Sequence, residues 1–450
     1  MGEHSIEALA ISSFAEAGLP VDKNGNALFP IIAWFDRRSE TQARRLENQG
    51  SISDFYLITG QRVDTSFGAV KWMWIRDNHP AISRKLYRWL SVPDYIYWRL
   101  TGEQATDYTL ASRTLLLDQT NLDWSPEMLD LAGLKKDQLP PVHPSGAPVG
   151  KISPRASRET GLQPGTPCYL GGHDHLCASM ACGASRSGVI IDSSGTAQAI
   201  LMTIPSFLPD PGIAVKGYAC YAHIVPGLYV LKGGLKAAGG AIDWLVRQLA
   251  GLNASAQDLP YEKLEQSARE GIGKSIGPLW LPHFIGSGSP DGDRFSHAAM
   301  VGVQLHHSQG DIYRGMLEGL AFWLKNNLET MQEFGRQKIH QGFILGGTIR
   351  IKLLVQLKAD VLDIPMIVPA IPEPSAAGAA LLAALGCGYF NTPEEAVSSV
   401  RYDSITIKPD PEHSEWYSKV YSRIYRDMYP SLMKINHSMH ALVDHPGINR

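Results

Sequence analysis

The chain has 450 residues, of which 44% are hydrophobic and 19% charged, so it can bury a large core and is not intrinsically disordered. Its 41 lysines and arginines against 44 aspartates and glutamates give a formal net charge of -3, which argues against a nucleic-acid partner. No apolar run reaches the roughly 18 residues of a membrane span, and the N-terminus carries no export signal, so we expect a cytoplasmic protein. The five cysteines include no Cys-x-x-Cys pair, and we expect mostly buried, reduced thiols.

The chain opens with predicted β-structure. Apolar residues 19–21 and 27–29 flank a turn that contains Asn24 and Gly25. Asn-Gly between apolar runs predicts a hairpin, because both residues tolerate positive φ. Residues 31–34 predict a further strand.

Helices dominate the next hundred residues. A polar helix is predicted over 39–48, with Gly50 as its left-handed cap. Residues 51–135 are predicted to be mostly helical, with aromatic-rich helices over 71–75 and 94–98. Aromatic residues at this spacing favour core packing over ligand binding.

A proline- and glycine-rich segment over 139–167 leads into a predicted strand over 168–171, which runs into Gly-Gly-His-Asp-His. Asp174 follows the two glycines, so its carboxylate has little steric cover and is a candidate general base. The alternative is that Asp174 caps a small-residue helix that ends near Ala184. His173 and His175 flank it, and a His-x-His pair at a strand end is also typical of some metal-dependent hydrolases.

A new sheet is predicted to begin just after residue 186, where we place a domain boundary. Residues 189–200 predict two strands joined by the turn Ser194-Gly195-Thr196. Its backbone N–H groups and hydroxyls suit a phosphate, although such a turn is most often purely structural.

The rest of the second half alternates helices with strands. Helices are predicted over 238–250, 312–332, 351–361 and 374–384. The strand 343–345 runs into Gly346-Gly347-Thr348, which is either a nucleotide-binding turn or an ordinary tight turn. This alternation predicts an α/β architecture with ligands at the carboxyl ends of the strands. A peripheral tail without periodicity is expected beyond Met433.

An aromatic and charged cluster follows residues 31–34. Trp34, Asp36 and Arg37 combine a stacking surface with hydrogen-bonding groups that suit a polyhydroxylated ligand. The structural alternative is a helix N-terminus with Asp36 as its cap.

These signals occur in an order that resembles the FGGY family of carbohydrate kinases. The resemblance implies a two-domain, actin-like (ribonuclease H-like) α/β fold. Its motifs span most of the chain: Trp34-x-Asp36-x-Arg38, Lys71-Trp72-x-Trp74-Ile75, Thr106-Asp107-Tyr108-x-x-Ala111-Ser112, Gly171-Gly172-His173-Asp174, Ser194-Gly195-Thr196, Ala298-x-Met300-x-Gly302-Val303, Asp311-Ile312, Leu317-Glu318-Gly319, Gly346-Gly347, Gln356-x-x-x-Asp360-Val361, Glu373 and Gly378-Ala379-Ala380.

The resemblance implies roles for individual residues. Asp174 would accept the proton of a sugar hydroxyl, as phosphoryl transfer asks mainly for positioning and charge neutralisation. The sugar side would comprise Trp34, Asp36, Arg37, Asp107, His173 and His175. The nucleotide side would comprise Ser194, Gly195, Thr196, Gly239, Gly346, Gly347 and Thr348. ATP and Mg²⁺ are the implied cofactors, and no protein ligand to a metal is assigned.

The chain also departs from the family pattern. Family members usually begin with strands that carry an Asp-x-Gly-Thr phosphate loop, and this sequence starts after it, so we expect an incomplete N-terminal domain with an exposed strand edge. His175 stands where Gln or Asn is more usual, which indicates a distinct sugar preference. The expected domains are 1–185 for sugar, 186–432 for nucleotide, and a tail over 433–450.

Three functional hypotheses follow. The first is an ATP-dependent kinase of a ketose, such as a xylulose-like pentulose, or of a related polyol. The second is a catalytically impaired protein that binds sugar or nucleotide, because the first phosphate loop is absent. The third is a metal-dependent hydrolase that uses His173 and His175. The expected partners are small molecules without nucleic acid or membrane, and a homodimer is the default oligomeric state.

Overall fold

The computed structural model describes residues 6–251, 260–400 and 402–443. The strands are β1 Leu9–Ser13, β2 Gly18–Val21, β3 Arg88–Ser91, β4 Thr106–Asp107, β5 Leu117–Asp118, β6 Asp123–Trp124, β7 Val142–His143, β8 Pro148–Lys151, β9 Pro167–His173, β10 Val189–Ser194, β11 Gln198–Ile204, β12 Ala219–Ala222, β13 Tyr229–Leu235, β14 Leu279–Leu281, β15 Ala299–Val301, β16 Gln341–Leu345, β17 Met366–Pro369 and β18 Ser404–Ile407. The α-helices are α1 Glu40–Glu47, α2 Ile52–Thr59, α3 Gly68–Asn78, α4 Pro80–Ser83, α5 Val92–Thr101, α6 Tyr108–Ser112, α7 Pro126–Ala132, α8 Pro154–Thr160, α9 Asp174–Ala181, α10 Gly212–Val215, α11 Gly239–Ala250, α12 Tyr261–Ala268, α13 Gln309–Gly335, α14 Lys352–Leu362, α15 Pro374–Gly386, α16 Pro393–Ser399, α17 Pro411–Val420 and α18 Arg426–Val443.

A seven-stranded sheet organises the second half, in the order β12-β13-β11-β10-β16-β17-β18. Its central strands β10 and β16 run parallel and are almost wholly buried, because apolar helices cover both faces of the sheet. Both strands end at glycine-containing turns, at Ser194 and at Gly346. The predicted strand-turn-strand over 189–200 and the four predicted helices of this half are confirmed, as α11, α13, α14 and α15.

A smaller sheet, in the order β1-β9-β8, carries the predicted strand end of the first half. β9 runs parallel to β1, and a side chain at Gly171 would collide with the backbone oxygen of Ile11. Glycine is therefore required where these strands approach each other. Among the described strands β1 pairs only with β9, so β1 lies at one edge of this sheet.

The helices of the first half enclose a separate core. Trp72, Met73 and Ile75 of α3 are buried there against Trp89 and Leu117, which confirms that the aromatic helix over 71–75 packs into the core. The second aromatic helix is α5, with Pro93 in its first turn and the buried Tyr97 on its inner face. Ser91 caps α5 in a capping box with Asp94.

Helix α15 joins the two halves because it packs on α9 and also contacts β1 and β9. A Cβ at Gly378 would collide with the backbone oxygen of Cys177, so the two helices pack at backbone distance. The hydroxyl of Ser375 donates to the backbone oxygen of Asp174 (3.0 Å). The first turn of α15 is thereby bonded to the first turn of α9.

The predicted hairpin is only half right. The turn is confirmed, with Gly25 at φ +78°, but β2 pairs with β3 rather than with residues 27–29. Ala27 makes only an isolated bridge to Val21. The predicted strand over 31–34 is also wrong, because it consists of a single bridge between Ile32 and Gly18. Local apolar alternation was outweighed here by the long-range pairing of β2 with β3.

Three helix boundaries differ from those predicted. Asn48, in the right-handed region, ends α1, and Gly50 does not form the expected left-handed cap. Helix α9 begins at Asp174 itself, with His173 as the N-cap residue, so Asp174 does not cap a later helix. The expected tail beyond Met433 continues as α18, whose Asn436 is buried and donates to Ser296 Oγ (3.2 Å).

The state of the cysteines and the hydropathy of the described helices agree with what the sequence predicts. All five cysteines are unpaired, and three of them are buried, as predicted. None of the helices in the described ranges has the length and apolar character that crossing a bilayer requires.

Candidate active site

Asp174 lies where β9 meets α9. Its side chain is 37% exposed, and its Oδ1 accepts from the backbone N–H of His175 (2.7 Å) and lies 3.3 Å from His173 Nε2. Its Oδ2 has no hydrogen-bond partner among the described residues. Asp174 therefore presents one unengaged carboxylate oxygen at the end of a buried strand.

Asp107 is linked to the end of β9 through Thr109 and is only 1% exposed. It is the N-cap of α6, and its Oδ1 accepts from the backbone N–H of Thr109 (2.8 Å) and from the Thr109 hydroxyl. Thr109 Oγ1 in turn accepts from the backbone N–H of His173 (2.8 Å). Burial raises the pKa of Asp107 to about 7. Asp107 thus positions β9 through Thr109, and the direct sugar contact that the family resemblance implies stays a prediction.

Glu16 is a site residue that the sequence analysis missed. Its backbone is in the left-handed region (φ +64°), which is strained for a residue with a side chain. Arg113 Nη2 lies 2.5 Å from Glu16 Oε1, and Lys71 Nζ donates to the Glu16 backbone oxygen (2.8 Å). Burial alone would raise the pKa of Glu16, but the charges of Arg113 and Lys232 outweigh it and hold that pKa below its ordinary value.

Lys232 projects toward the same cluster from β13. In the antiparallel pair β12 and β13, Tyr221 lies opposite Val230 and Ala219 opposite Lys232, so Tyr221, Val230 and Lys232 share one face of the sheet. Tyr221 and Val230 pack in the same core as Leu176 of α9, so this face of the sheet is turned toward α9. Lys232 therefore lies on the Asp174 side of the sheet.

Charges around Asp174 affect both neighbouring histidines. Burial lowers the pKa of His173 and of His175, and the positive charge of Lys232 lowers both further. Both imidazoles are therefore neutral near pH 7. Ligand atoms of His173, Asp174 and His175 lie within 4.8 Å of one another, which is the arrangement on which the hydrolase hypothesis depends.

The predicted nucleotide-binding residues converge on the turn after β10. Thr348 Oγ1 donates to the Ser194 backbone oxygen (3.0 Å), and the Gly239 N–H donates to the Gly195 backbone oxygen (3.0 Å). A Cβ at Gly346 would lie 2.6 Å from the Ser194 oxygen, and one at Gly239 would lie 2.5 Å from the Gly195 oxygen. Only glycine allows these backbones to approach so closely.

Gly347 and Thr196 complete this group. A Cβ at Gly347 would meet no atom within 4 Å, so open space lies beside it. The Thr196 backbone oxygen accepts from the N–H groups of Ala238 (2.9 Å) and Gly240 (3.1 Å). All seven residues assigned to the nucleotide side by sequence are therefore neighbours in the structure.

An ion pair supports the turn from inside the domain. Lys358 Nζ of α14 lies 2.6 Å from Asp192 Oδ2 and donates to Ser194 Oγ (3.0 Å). Gln198 Nε2 donates to Asp192 Oδ1 (2.7 Å). The side chains of Lys358 and Asp192 are both 0% exposed. Asp192 is thus fully engaged in the core and holds the turn in place.

The aromatic cluster near residue 34 lies at the surface. Trp34 is 49% exposed, and Arg37 is also exposed. Asp36 forms an ion pair with Arg38 (2.7 Å) and does not cap α1, whose N-cap is Ser39. The charge of Lys71 contributes to the lowered pKa of Asp36, which puts Asp36 on the side of the Glu16 cluster. The described contacts bring Trp34 and Arg37 to no other predicted site residue.

Several residues of the site could not be identified from the sequence, because only long-range contacts bring them there. They are Glu16, Lys71, Arg113, Asp192, Tyr221, Lys232 and Lys358. Two carried a weak signal in the sequence. Lys232 interrupts an apolar strand and Lys358 an apolar helix, and a lone lysine among apolar residues indicates a buried ion pair or a ligand site.

Comparisons with known proteins agree with the fold and with the order of the motifs. The N-terminal domain model of the FGGY family of carbohydrate kinases matches residues 1–181, and its C-terminal domain model matches residues 193–387. L-fuculokinase of Escherichia coli O157:H7 is 30% identical over 413 residues, which are 91% of this chain and 84% of that protein. Xylulose kinase of Bacillus subtilis is 27% identical over 436 residues, 96% of this chain and 84% of that protein.

A solved structure of a xylulose kinase from Rhodospirillum rubrum matches with a TM-score of 0.88 at 28% identity, over 97% of this chain and 87% of that one. The fold is thus the two-domain, actin-like fold of sugar kinases. This finding decides for the kinase hypothesis over the metal-dependent hydrolase. The chain belongs to the FGGY family of carbohydrate kinases, enzymes that transfer a phosphoryl group from ATP to a sugar.

Proposed function

We propose that Asp174 is the general base of this kinase and that it accepts the proton of the sugar hydroxyl that attacks ATP. One observation carries the assignment: the side chain of Asp174 is 37% exposed, against 12% for Glu16. Asp107 is only 1% exposed, so among these three carboxylates Asp174 is the one that solvent and a substrate can reach. Glu16 is bound by Arg113, and Asp107 caps α6. The carboxylate orients the hydroxyl and accepts its proton, which moves late in phosphoryl transfer.

The transferring phosphate is proposed to bind at the turn Ser194-Gly195-Thr196. Backbone N–H groups and the Thr196 hydroxyl would donate to its oxygens, which stabilises negative charge that develops there. Lys358 acts only indirectly, because its ammonium group is bound to Asp192 and to Ser194 Oγ and fixes the turn from inside.

ATP fits the residues beside this turn. Gly239 and Gly346 bring backbone to the turn where any side chain would collide, and the open space beside Gly347 can receive the flat base. Mg²⁺ prefers oxygen ligands and keeps several waters, so the phosphates of ATP and water molecules would hold it, and no protein ligand is assigned. The bound ion would neutralise phosphate charge during transfer.

The acceptor is proposed to be a ketose, such as a xylulose-like pentulose, or a related polyol. The mixed donors and acceptors of the cluster, namely Glu16, Arg113, His173, His175 and Lys232, suit a chain that carries several hydroxyl groups. Three expectations from the sequence stay predictions. They are a division into sugar and nucleotide domains near residue 186, a cytoplasmic location and a homodimer.

A substrate screen tests the proposal. ATP turnover is measured with a panel of ketoses, polyols and their acids, for the unmodified chain and for Asp174→Asn, which keeps the size of the side chain. We expect turnover with at least one acceptor and a loss of about 100-fold or more in kcat for the variant. Equal kcat values for both proteins would overturn the role of Asp174. Sugar binding by calorimetry without any turnover would support the alternative of an impaired binding protein.

A further inference from the structure

Three polar groups around Asp174 have no hydrogen-bond or ion-pair partner among the described residues. Lys232 makes no hydrogen bond or ion pair with any of the described residues, although it lies close enough to Glu16, Arg113 and Asp174 to feel their charges. The hydroxyl of Tyr221 and the Nδ1 of His173 are buried and lack hydrogen-bond partners. Buried polar groups in native proteins are almost always satisfied, so these groups indicate a ligand.

Lys232 lacks the counter-ion that the other charged groups of the cluster have. Glu16 is paired with Arg113, and Lys71 is satisfied by the backbone oxygen of Glu16. That leaves Lys232 and Asp174, which has a neutral histidine beside it and an oxygen already assigned to the attacking hydroxyl. Lys232 is thus a cation near Asp174 without an ion-pair or hydrogen-bond partner among the described residues. A negative charge on the ligand would pair with it, and a neutral sugar cannot supply that charge.

The position of Lys232 separates it from the transferring phosphate. Its neighbours are Glu16, Arg113 and the two histidines, which lie on the sugar side of Asp174. The phosphate turn at Ser194 adjoins the end of β13 at which Leu235 pairs with Gln198. Lys232 is the central residue of β13, three residues or about 10 Å from that end. Because the charge of Lys232 acts on His173, His175 and Asp174, we place its ammonium group beside the acceptor.

On the basis of the proposed function, we propose that the acceptor is a polyhydroxylated chain that carries a carboxylate, and that Lys232 and the hydroxyl of Tyr221 bind this carboxylate. The two side chains are diagonal neighbours on one face of adjacent strands, a spacing of about 7 to 8 Å between backbones that one carboxylate can bridge. Charge-assisted hydrogen bonds of this kind are the strong ones in proteins. The substrate class is therefore sugar acids, such as aldonates or keto acids of the same chain length as a ketose or polyol.

The test compares acceptors that differ only in the carboxylate: D-gluconate against D-glucitol, D-xylonate against xylitol, and D-fructuronate against D-fructose. We expect kcat/KM to be about 10- to 100-fold higher for the acid in at least one pair. Lys232→Met should abolish this preference, and Lys232→Arg, which keeps the charge, should retain most of it. Lys151→Gln, which removes an exposed charge on β8, is the matched control.

A binding measurement separates this inference from the proposed function. Asp174→Asn is titrated with the same pairs by calorimetry, so that the comparison does not depend on turnover. Tighter binding of an acid, lost in Asp174→Asn/Lys232→Met, supports the carboxylate site even if the role of Asp174 in catalysis proves wrong. Acids that bind no better than their alcohols, or a Lys232→Met effect that is equal for both members of each pair, would overturn it. Thermal unfolding of each variant checks that it is folded.

The pH profile adds an independent readout. Burial lowers the pKa of Lys232 to about 8, against the opposing pull of Glu16 and Asp174. The preference for the acid in kcat/KM should therefore be full at pH 6 to 7 and decline as the pH rises through about 8, where the free enzyme loses the ammonium charge. The groups that face Lys232 and are followed in the same profile are Glu16, Arg113, His173, Asp174, His175 and Tyr221. A preference that is constant from pH 6 to pH 9 would contradict the role of Lys232.

Discussion

Lys358 Nζ lies 2.6 Å from Asp192 Oδ2 in the interior of the second half, and neither side chain is exposed to solvent. The same ammonium group donates to Ser194 Oγ at the phosphate turn (3.0 Å). A buried pair of this kind contributes little net stability, but removing one partner leaves the other charge unpaired. We therefore explain the pair by its role in fixing the position of the turn Ser194-Gly195-Thr196.

Lys358→Met should lower the free energy of unfolding by about 3 to 5 kcal/mol, because the Asp192 carboxylate would stay buried without a cation. The KM for ATP should rise more than the KM for the sugar. Urea unfolding and steady-state kinetics measure both effects. Lys358→Met/Asp192→Leu removes both charges and should recover part of the stability without restoring the KM for ATP. A loss below about 1 kcal/mol in the single variant would show that the carboxylate finds another partner.

Gly346→Ala should weaken ATP binding and stability together. Its φ of +95° is unfavourable for alanine, and the new methyl would lie 2.6 Å from the Ser194 oxygen. Gly388→Ala is the matched control, because Gly388 also has a positive φ (+80°) but no atom lies near its Cβ position. This variant therefore measures the conformational cost of the backbone alone, which is about 1 to 2 kcal/mol. Calorimetry should show a larger loss of ATP affinity for Gly346→Ala than for Gly388→Ala, and thermal melts should show a larger loss of stability. Equal losses at both positions would mean that the turn can move aside.

The raised pKa of Asp107 predicts that the stability of the protein depends on pH. Its pKa is raised by burial to about 7, while the unfolded chain titrates near 3.8. Between these values the folded state holds the extra proton, so stability falls as the pH rises from about 4 to about 7 and then levels off. Asp107→Asn keeps an oxygen for Thr109 and has no charge, so its urea-unfolding free energy should not show this decline. Parallel curves for the two proteins from pH 4.5 to pH 8 would contradict burial as the cause.

Arg113→Met should destabilise the protein by about 3 kcal/mol, because it leaves the Glu16 carboxylate buried without its main partner. It also removes the guanidinium group that stacks over Tyr221 and Phe67. The double variant Arg113→Met/Glu16→Gln should be more stable than Arg113→Met alone, since no unpaired charge remains. Equilibrium urea unfolding of the three proteins measures the difference. A double variant as unstable as the single one would assign the loss to packing.

The sequence predicted what short-range chemistry determines. The turn at Ser194, the glycine turn at Gly346 and the strand end at Asp174 each carry their signal within about five residues, and the structure contains all three features. Glu16 and Lys232 could not be predicted as a pair, because only the folded sheets bring these distant parts of the chain together. Asp107 was assigned to the sugar, although the run Asp-Tyr-Thr-Leu before Ala111 was equally a helix N-cap signal. Residues 31–34 resembled a strand, but β2 already had its partner in β3.

The contact between α9 and α15 determines how the two halves can move. Asp174 belongs to the first half by sequence, yet its backbone is held by Ser375, 201 residues later in the chain. Backbone contact at Gly378 leaves no space for sliding between these helices. We therefore expect any rotation of one half against the other to have its axis near this junction. In such a rotation the Asp174 carboxylate would move less than residues that lie farther from the junction.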